Sequence, residues 1–201
     1  MPSYKLTYFK HWGRAGVLRL LFAAGGIEFE DVRIDRETQW PDFKPTTPMG
    51  QLPILEVDGT IICQKRAIGR MIAKKAGLAG KTPLEEARID MIVDGLADME
   101  TIFAGLYREK DEKTKLENMK KFAGETLPMF LNNFEKLASS SGHFVGDVLT
   151  WADVDFFAMV FFAKDHLPYD PLTGYANLTK VIDNVTSNPR IAEWMKKEAA
   201  Q

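Results

Sequence analysis

Only one cysteine, Cys63, occurs in the 201 residues. That excludes an intramolecular disulfide and any cysteine-based zinc cluster, and it fits a reducing, cytoplasmic compartment. Charge of one sign is lacking too. Lys plus Arg number 26 against 28 for Asp plus Glu, a net charge of −2, which offers no electrostatic footprint for nucleic acid or an anionic membrane. Long hydrophobic runs are missing: the longest apolar block, Phe156 to Ala163, falls well short of the roughly 20 residues that span a bilayer. The opening "MPSYKLTYFK" alternates apolar with polar residues where a signal peptide would show a basic stretch and an apolar segment, so no leader is expected. No glycine-rich phosphate loop and no nucleophile elbow is found, and His11, His143 and His166 lack ligand spacing with cysteine or carboxylates. No metal is therefore expected, and each histidine reads as structural or merely exposed.

What is present is a chain 45% hydrophobic, ordinary for a protein that buries a core and long enough for one large domain or two small ones. Tyr4 to Phe9 reads as a strand. The polar turn "KHWGR" leads into "AGVLRLLFAAGG", apolar at helical spacing and stopped by Gly25-Gly26, and "FEDVRI" is a second strand. Strand, helix, strand is a βαβ unit, so the two strands should be parallel with a right-handed crossover. After the irregular "DRETQWPDFKPTTPMGQ", Leu52, Ile54, Leu55 and Val57 form an apolar run, Asp58-Gly59 is a two-residue hairpin signal, and Ile61 and Ile62 open another run before the helix "KRAIGRMIAKKAG".

From Gly77 onward strand-like alternation disappears and helical periods continue to the end. The expectation is an α/β domain over 1–78, βαβ-ββα in order, a linker over 77–82, and an all-α domain over 83–201. Pro83 suits a helix N1 after Thr82, with Glu85 and Glu86 in the first turn. "REKDEKTKLENMKK" is a charge run, read as a solvated loop and helix face. In "LTWADVDFF", Thr150 with Asp153 three residues on is a capping-box variant that opens a nearly all-apolar, buried helix.

Pro53 lies at a strand's first residues, where a proline is tolerated because it has no ladder hydrogen bond to lose. A βαβ-ββα unit with a proline before its third strand resembles the thioredoxin-like fold, where that proline is typically cis. A cis bond there would turn the Leu52 backbone outward, free to pair with an extended peptide. The turn after the first strand, "YFKHWGR", has no cysteine, so thiol-disulfide exchange is excluded there. It offers instead Tyr8 followed by Arg14. A hydroxyl and a guanidinium can stabilise a thiolate that arrives with the ligand, and the peptide thiol plentiful in cytosol is glutathione.

Several stretches together carry a closer resemblance: "YKLTYF", "GRA", "FEDVRI", a tryptophan with a lysine four residues on, "PMGQLPILEVDG", a glutamine before "AIGR", "IDMIVDGLADM" and "LTWADV". The whole chain is similar to sigma-class glutathione transferases, a group that includes the glutathione-requiring prostaglandin D synthases. The resemblance implies a homodimer with glutathione as co-substrate. It implies Tyr8 as thiolate-stabilising hydroxyl and Arg14 as its electrostatic support. Trp40 and Lys44 would hold the glycine end of glutathione, with Gly50, Gln51, Leu52 and Pro53 around the cysteinyl backbone. Gln64 and Lys65 would receive the γ-glutamyl carboxylate at a helix N-terminus. Asp98 of the partner subunit would meet the ammonium. The family usually has serine after that glutamine; Lys65 keeps the backbone contact and lacks the hydroxyl.

The second substrate is expected to be apolar and to lie between the domains, against Trp12, Met99, Phe103 and Tyr107, the last three on one helical face at spacings of four. Core packing is the competing reading for Phe103 and the preferred one for Cys63. Three activities stay open at this stage: transfer of glutathione to small hydrophobic electrophiles, a glutathione-dependent isomerisation, and a non-catalytic ligand-binding or structural role.

Overall fold

The computed structural model describes residues 2–164, 167 and 169–200, with residue 107 described by its backbone alone. His166 and the Tyr107 side chain lie outside the described residues. The chain divides into two compact units, Met1–Ala79 together with Ser187–Gln201, and Gly80–Thr186.

The first unit is built on a four-stranded sheet in the order β2-β1-β3-β4. Strand β1, Tyr4–Phe9, pairs in parallel with β2, Glu30–Ile34, placing Tyr8 opposite Arg33. The crossover helix α1, Gly16–Gly25, buries Val17, Leu18, Leu20, Leu21 and Phe22, so the βαβ expectation holds. Strand β3, Ile54–Val57, runs antiparallel to β1, with Leu6 opposite Leu55, and β4, Thr60–Cys63, completes the hairpin. Asp58 and Gly59 both take positive φ, 48° and 84°, the left-handed pair that a type I′ turn requires. Helix α3, Lys65–Ala76, packs along α1. The segment expected to be irregular contains a one-turn helix, α2, Trp40–Phe43, followed by a tight turn over Lys44–Thr46.

The second unit is helical: α4, Pro83–Arg108; α5, Glu112–Lys121; α6, Leu127–Leu137; α7, Trp151–Lys164; and α8, Ala176–Thr186. Thr82 caps α4 by accepting the Glu85 N–H at 3.2 Å. The charge run becomes α5, which buries no residue. Helix α7 is the core of this unit, with Trp151 and Phe156 buried and Phe134, Phe144 and Phe156 packed edge to face. Its start is held by Asp153, whose carboxylate accepts the Thr150 N–H at 2.7 Å, the Thr150 hydroxyl at 2.8 Å and the Phe144 N–H at 2.9 Å. Burial pushes this carboxyl up from its ordinary value while the hydrogen bonds pull it down.

One boundary differs from expectation. The helical period of residues 187–201 places them in the helical domain, yet the last helix, α9, Pro189–Ala199, belongs to the first unit. Ile191 is fully buried, α9 packs along α1, and the Trp194 ring meets Trp12 at 5.9 Å. Arg190 donates to the Ala24 carbonyl at 3.3 Å, and Glu198 accepts both terminal nitrogens of Arg33 at 2.7 and 2.6 Å. An amphipathic period identifies the face that must be covered, not the surface that covers it.

Candidate active site

Tyr8 stands at the end of β1, 5% exposed. Its hydroxyl oxygen accepts a hydrogen bond from the backbone N–H of Arg14 at 3.1 Å. That bond leaves the hydroxyl's own proton available to a further acceptor, which is what stabilisation of an anion requires. The sequence pointed to the Arg14 guanidinium; the contact belongs to the main chain, and the Arg14 side chain is exposed. A tight turn over Gly13–Ala15 brings that N–H into place. Gly13 has φ +40°, and a Cβ there would lie 2.6 Å from the Tyr8 oxygen and 2.7 Å from the His11 ring, so only glycine fits.

Three aromatic residues extend from Tyr8. His11 meets its ring edge to face at 5.3 Å, Phe9 stacks on His11 at 5.8 Å, and Trp40 meets Phe9 edge to face at 5.5 Å. Desolvation first, then the charges of Arg36 and Arg19, hold the His11 imidazole below its ordinary value. The segment leading to Trp40 is fixed by Asp35. Its carboxylate accepts the N–H groups of Glu37 and Thr38 at 2.9 and 3.0 Å, and its carbonyl accepts the Trp40 N–H at 3.0 Å. The Thr38 and Glu37 N–H groups lower the Asp35 pKa to about 2. Lys44 extends over Gly50, where an added Cβ would sit 3.4 Å from its side chain, and Gly50 itself has φ +60°.

Gln51 is exposed, Leu52 and Pro53 are buried, and their peptide bond is cis. The β3 ladder begins at Ile54. Gln64 is the N-cap of α3 with φ 78°, a left-handed conformation that costs a non-glycine residue on the order of 1–3 kcal/mol and persists where surrounding structure imposes it. Its amide Nε2 donates to the Met49 sulfur at 3.3 Å. Lys65 opens α3 and is 7% exposed. Tyr8, Arg14, Trp40, Lys44, Gly50, Gln51, Leu52, Pro53, Gln64 and Lys65 thus all lie within the first unit, on β1 and the turn after it, α2 and the turn after it, the β3 approach and the start of α3.

In the helical unit, Asp98 is exposed on α4, while Met99 and Phe103 are buried. Phe103 packs on Phe122 at 5.4 Å and Phe162 at 6.1 Å, the core packing weighed against a pocket role. Cys63 ends β4, half-buried opposite Ile54. Sequence reasoning missed His11 and Met49 as neighbours of Tyr8 and Gln64. Neither has a spacing signal, because turns rather than a helix or strand period bring them there.

The glutathione S-transferase N-terminal domain family matches residues 4–74, and the C-terminal domain family matches residues 97–198. This chain belongs to the glutathione S-transferase family. It is 41% identical over 199 residues to the hematopoietic prostaglandin D synthase of Gallus gallus, covering 98% of this chain and 97% of that one. It is 40% identical over 202 residues to glutathione S-transferase 1 of Ascaris suum, covering 97% and 96%. Among solved structures, a prostaglandin synthase D of Nilaparvata lugens superposes with TM-score 0.91 at 37% identity, covering 97% of this chain and 98% of that one. The thioredoxin-like sheet unit followed by helices is the transferase fold. Among the described residues no helix is long and apolar enough to cross a membrane.

Proposed function

We propose that this glutathione S-transferase binds glutathione along the first unit and activates it as a thiolate for attack on a small hydrophobic electrophile. The observation that carries this is the Tyr8 hydroxyl, held by the Arg14 N–H with its own proton free to donate. A free thiol has a pKa of about 8.5 and is only a few per cent ionised at neutral pH. Lowering it by about two units takes about 2.7 kcal/mol of differential stabilisation. Ionisation alone then raises the rate roughly 20-fold to 30-fold, and positioning adds to it.

Arg14 acts through its N–H. Trp40 and Lys44 hold the glycine carboxylate, Gly50, Gln51, Leu52 and Pro53 frame the cysteinyl residue, and Gln64 with Lys65 at the N-terminal, positive end of the α3 dipole holds the γ-glutamyl carboxylate. Asp98 of the partner subunit pairs with the ammonium in a homodimer. Trp12, Met99, Phe103 and Tyr107 are assigned to the electrophile. The setting is sigma class, cytoplasmic and detoxifying. A second reading, glutathione-dependent isomerisation of the prostaglandin D synthase type, is favoured by the name of the Gallus gallus relative.

The test is glutathione consumption with an aryl halide, wild type against Tyr8→Phe. A clear rate that falls tenfold or more supports transfer with Tyr8 as thiolate stabiliser. Glutathione bound without turnover selects the isomerase or a ligand-binding role, and product analysis with a prostaglandin endoperoxide separates those two. Absence of glutathione binding overturns the site.

A further inference from the structure

Arg19 is fully buried in the middle of α1, and a guanidinium there must satisfy its donors within the protein. Its Nε donates to both oxygens of Asp31 at 3.1 Å. Its terminal nitrogens donate to the carbonyls of His11 at 3.4 Å and Phe9 at 3.5 Å. These two carbonyls belong to the segment that leaves Tyr8 and turns into Arg14. Phe9 follows Tyr8 directly, and the His11 ring rests on Tyr8.

Asp31 is shared. Its other partner is Arg33, which donates to it at 2.8 Å and binds Glu198 of α9 with both terminal nitrogens. Two cations and two anions therefore alternate from the last turn of the C-terminal helix to the loop that holds Tyr8. Arg33, Asp31 and Glu198 are about one-fifth exposed, and Arg19 is not exposed at all, so screening weakens towards the loop end. Without Glu198, two guanidinium groups would compete for one carboxylate. The bidentate geometry of Arg33 with Glu198 keeps Asp31 available to Arg19. A second contact runs in parallel, from Trp194 of α9 to Trp12 of the same loop.

We propose that α9 is a positioning element for the active-site loop, with Glu198 acting through Arg33, Asp31 and Arg19 on the carbonyls of Phe9 and His11 and thereby on the Arg14–Tyr8 hydrogen bond. Its catalytic consequence rests on the reading of Tyr8 as thiolate stabiliser; the coupling itself does not. The described partner of Glu198 is Arg33, which is not among the residues assigned to glutathione, so its effect falls on the poise of Tyr8 and not on substrate contacts.

The test compares wild type, Glu198→Gln and Glu198→Asp by amide hydrogen exchange and by the ultraviolet absorbance of bound glutathione thiolate across pH. In Glu198→Gln, exchange at the Arg14 amide is expected to rise about fivefold, with the increase confined to residues 9–16 and α9. The thiolate pKa is expected to rise by about half a unit, with KM for glutathione changed less than about twofold. Glu198→Asp, which keeps the charge on a shorter stem, is expected to fall between, and it carries the same readouts if Glu198→Gln does not fold. Exchange at Arg14 equal to wild type overturns the proposal, as does an increase spread evenly over the first unit. If wild type holds no thiolate, the proposed function fails while exchange at Arg14 still decides the coupling.

Discussion

The Tyr8 hydroxyl oxygen and the Arg14 backbone nitrogen lie 3.1 Å apart, with the N–H donating. A main-chain donor cannot be removed by substituting the Arg14 side chain. Arg14→Ala is therefore expected to lower kcat/KM less than Tyr8→Phe, which removes the acceptor and the donated proton together. Tyr8→Phe should cost tenfold or more, about 1.4 kcal/mol at least, with a thermal midpoint within a few degrees of wild type. Steady-state kinetics on the two variants checks the order.

Gly13 leaves room for both the Tyr8 oxygen and the His11 ring. In Gly13→Ala the new methyl would lie 2.6 Å from that oxygen, on a residue with φ +40°. The expected result is a stability loss of about 1–2 kcal/mol and a fall in kcat/KM comparable to that of Tyr8→Phe. Activity near wild type would show that the loop can shift without disturbing Tyr8.

Gln64 combines a binding assignment with a left-handed backbone at φ 78°. Gln64→Gly relieves about 1–3 kcal/mol of conformational cost against about 0.5–1 kcal/mol of added chain entropy. The variant is expected to melt at or above the wild-type temperature and to bind glutathione at least tenfold more weakly. Calorimetric unfolding and binding titration read the two effects separately.

Asp35 has its pKa lowered to about 2 from 3.8 by the N–H groups of Thr38 and Glu37 and the Thr38 hydroxyl. A depressed carboxyl contributes stability that is present above its unfolded value and lost as pH falls through the folded one. The window runs from 3.8 down to about 2. Asp35→Asn is expected to flatten the stability-against-pH curve in that window and to weaken binding through Trp40. Denaturant midpoints at several acidic pH values check it.

Asp153 accepts three hydrogen bonds, two of them from backbone N–H groups of Phe144 and Thr150. Asp153→Ala leaves those donors buried without their acceptor, and is expected to cost about 3 kcal/mol. Chemical denaturation measures it, and the loss should exceed that of Thr150→Val, which removes one contact.

The sequence by itself determined what depends on neighbours along the chain. The alternation in β1, the apolar stripe of α1, Asp58-Gly59 between β3 and β4, and Thr150 with Asp153 ahead of α7 are each local patterns that one backbone geometry satisfies. The placement of Tyr8, Pro53 and Gln64 at element ends was legible for the same reason. Only the tertiary structure shows which surface α9 covers, that the Arg14 N–H meets the Tyr8 hydroxyl, and that Arg19 reaches the loop carbonyls. Arg33 and Glu198 are 165 residues apart in the chain. A charge pattern carries no information about which distant opposite charge will be desolvated beside it, because that partner is chosen by the packing of whole faces and not by any spacing.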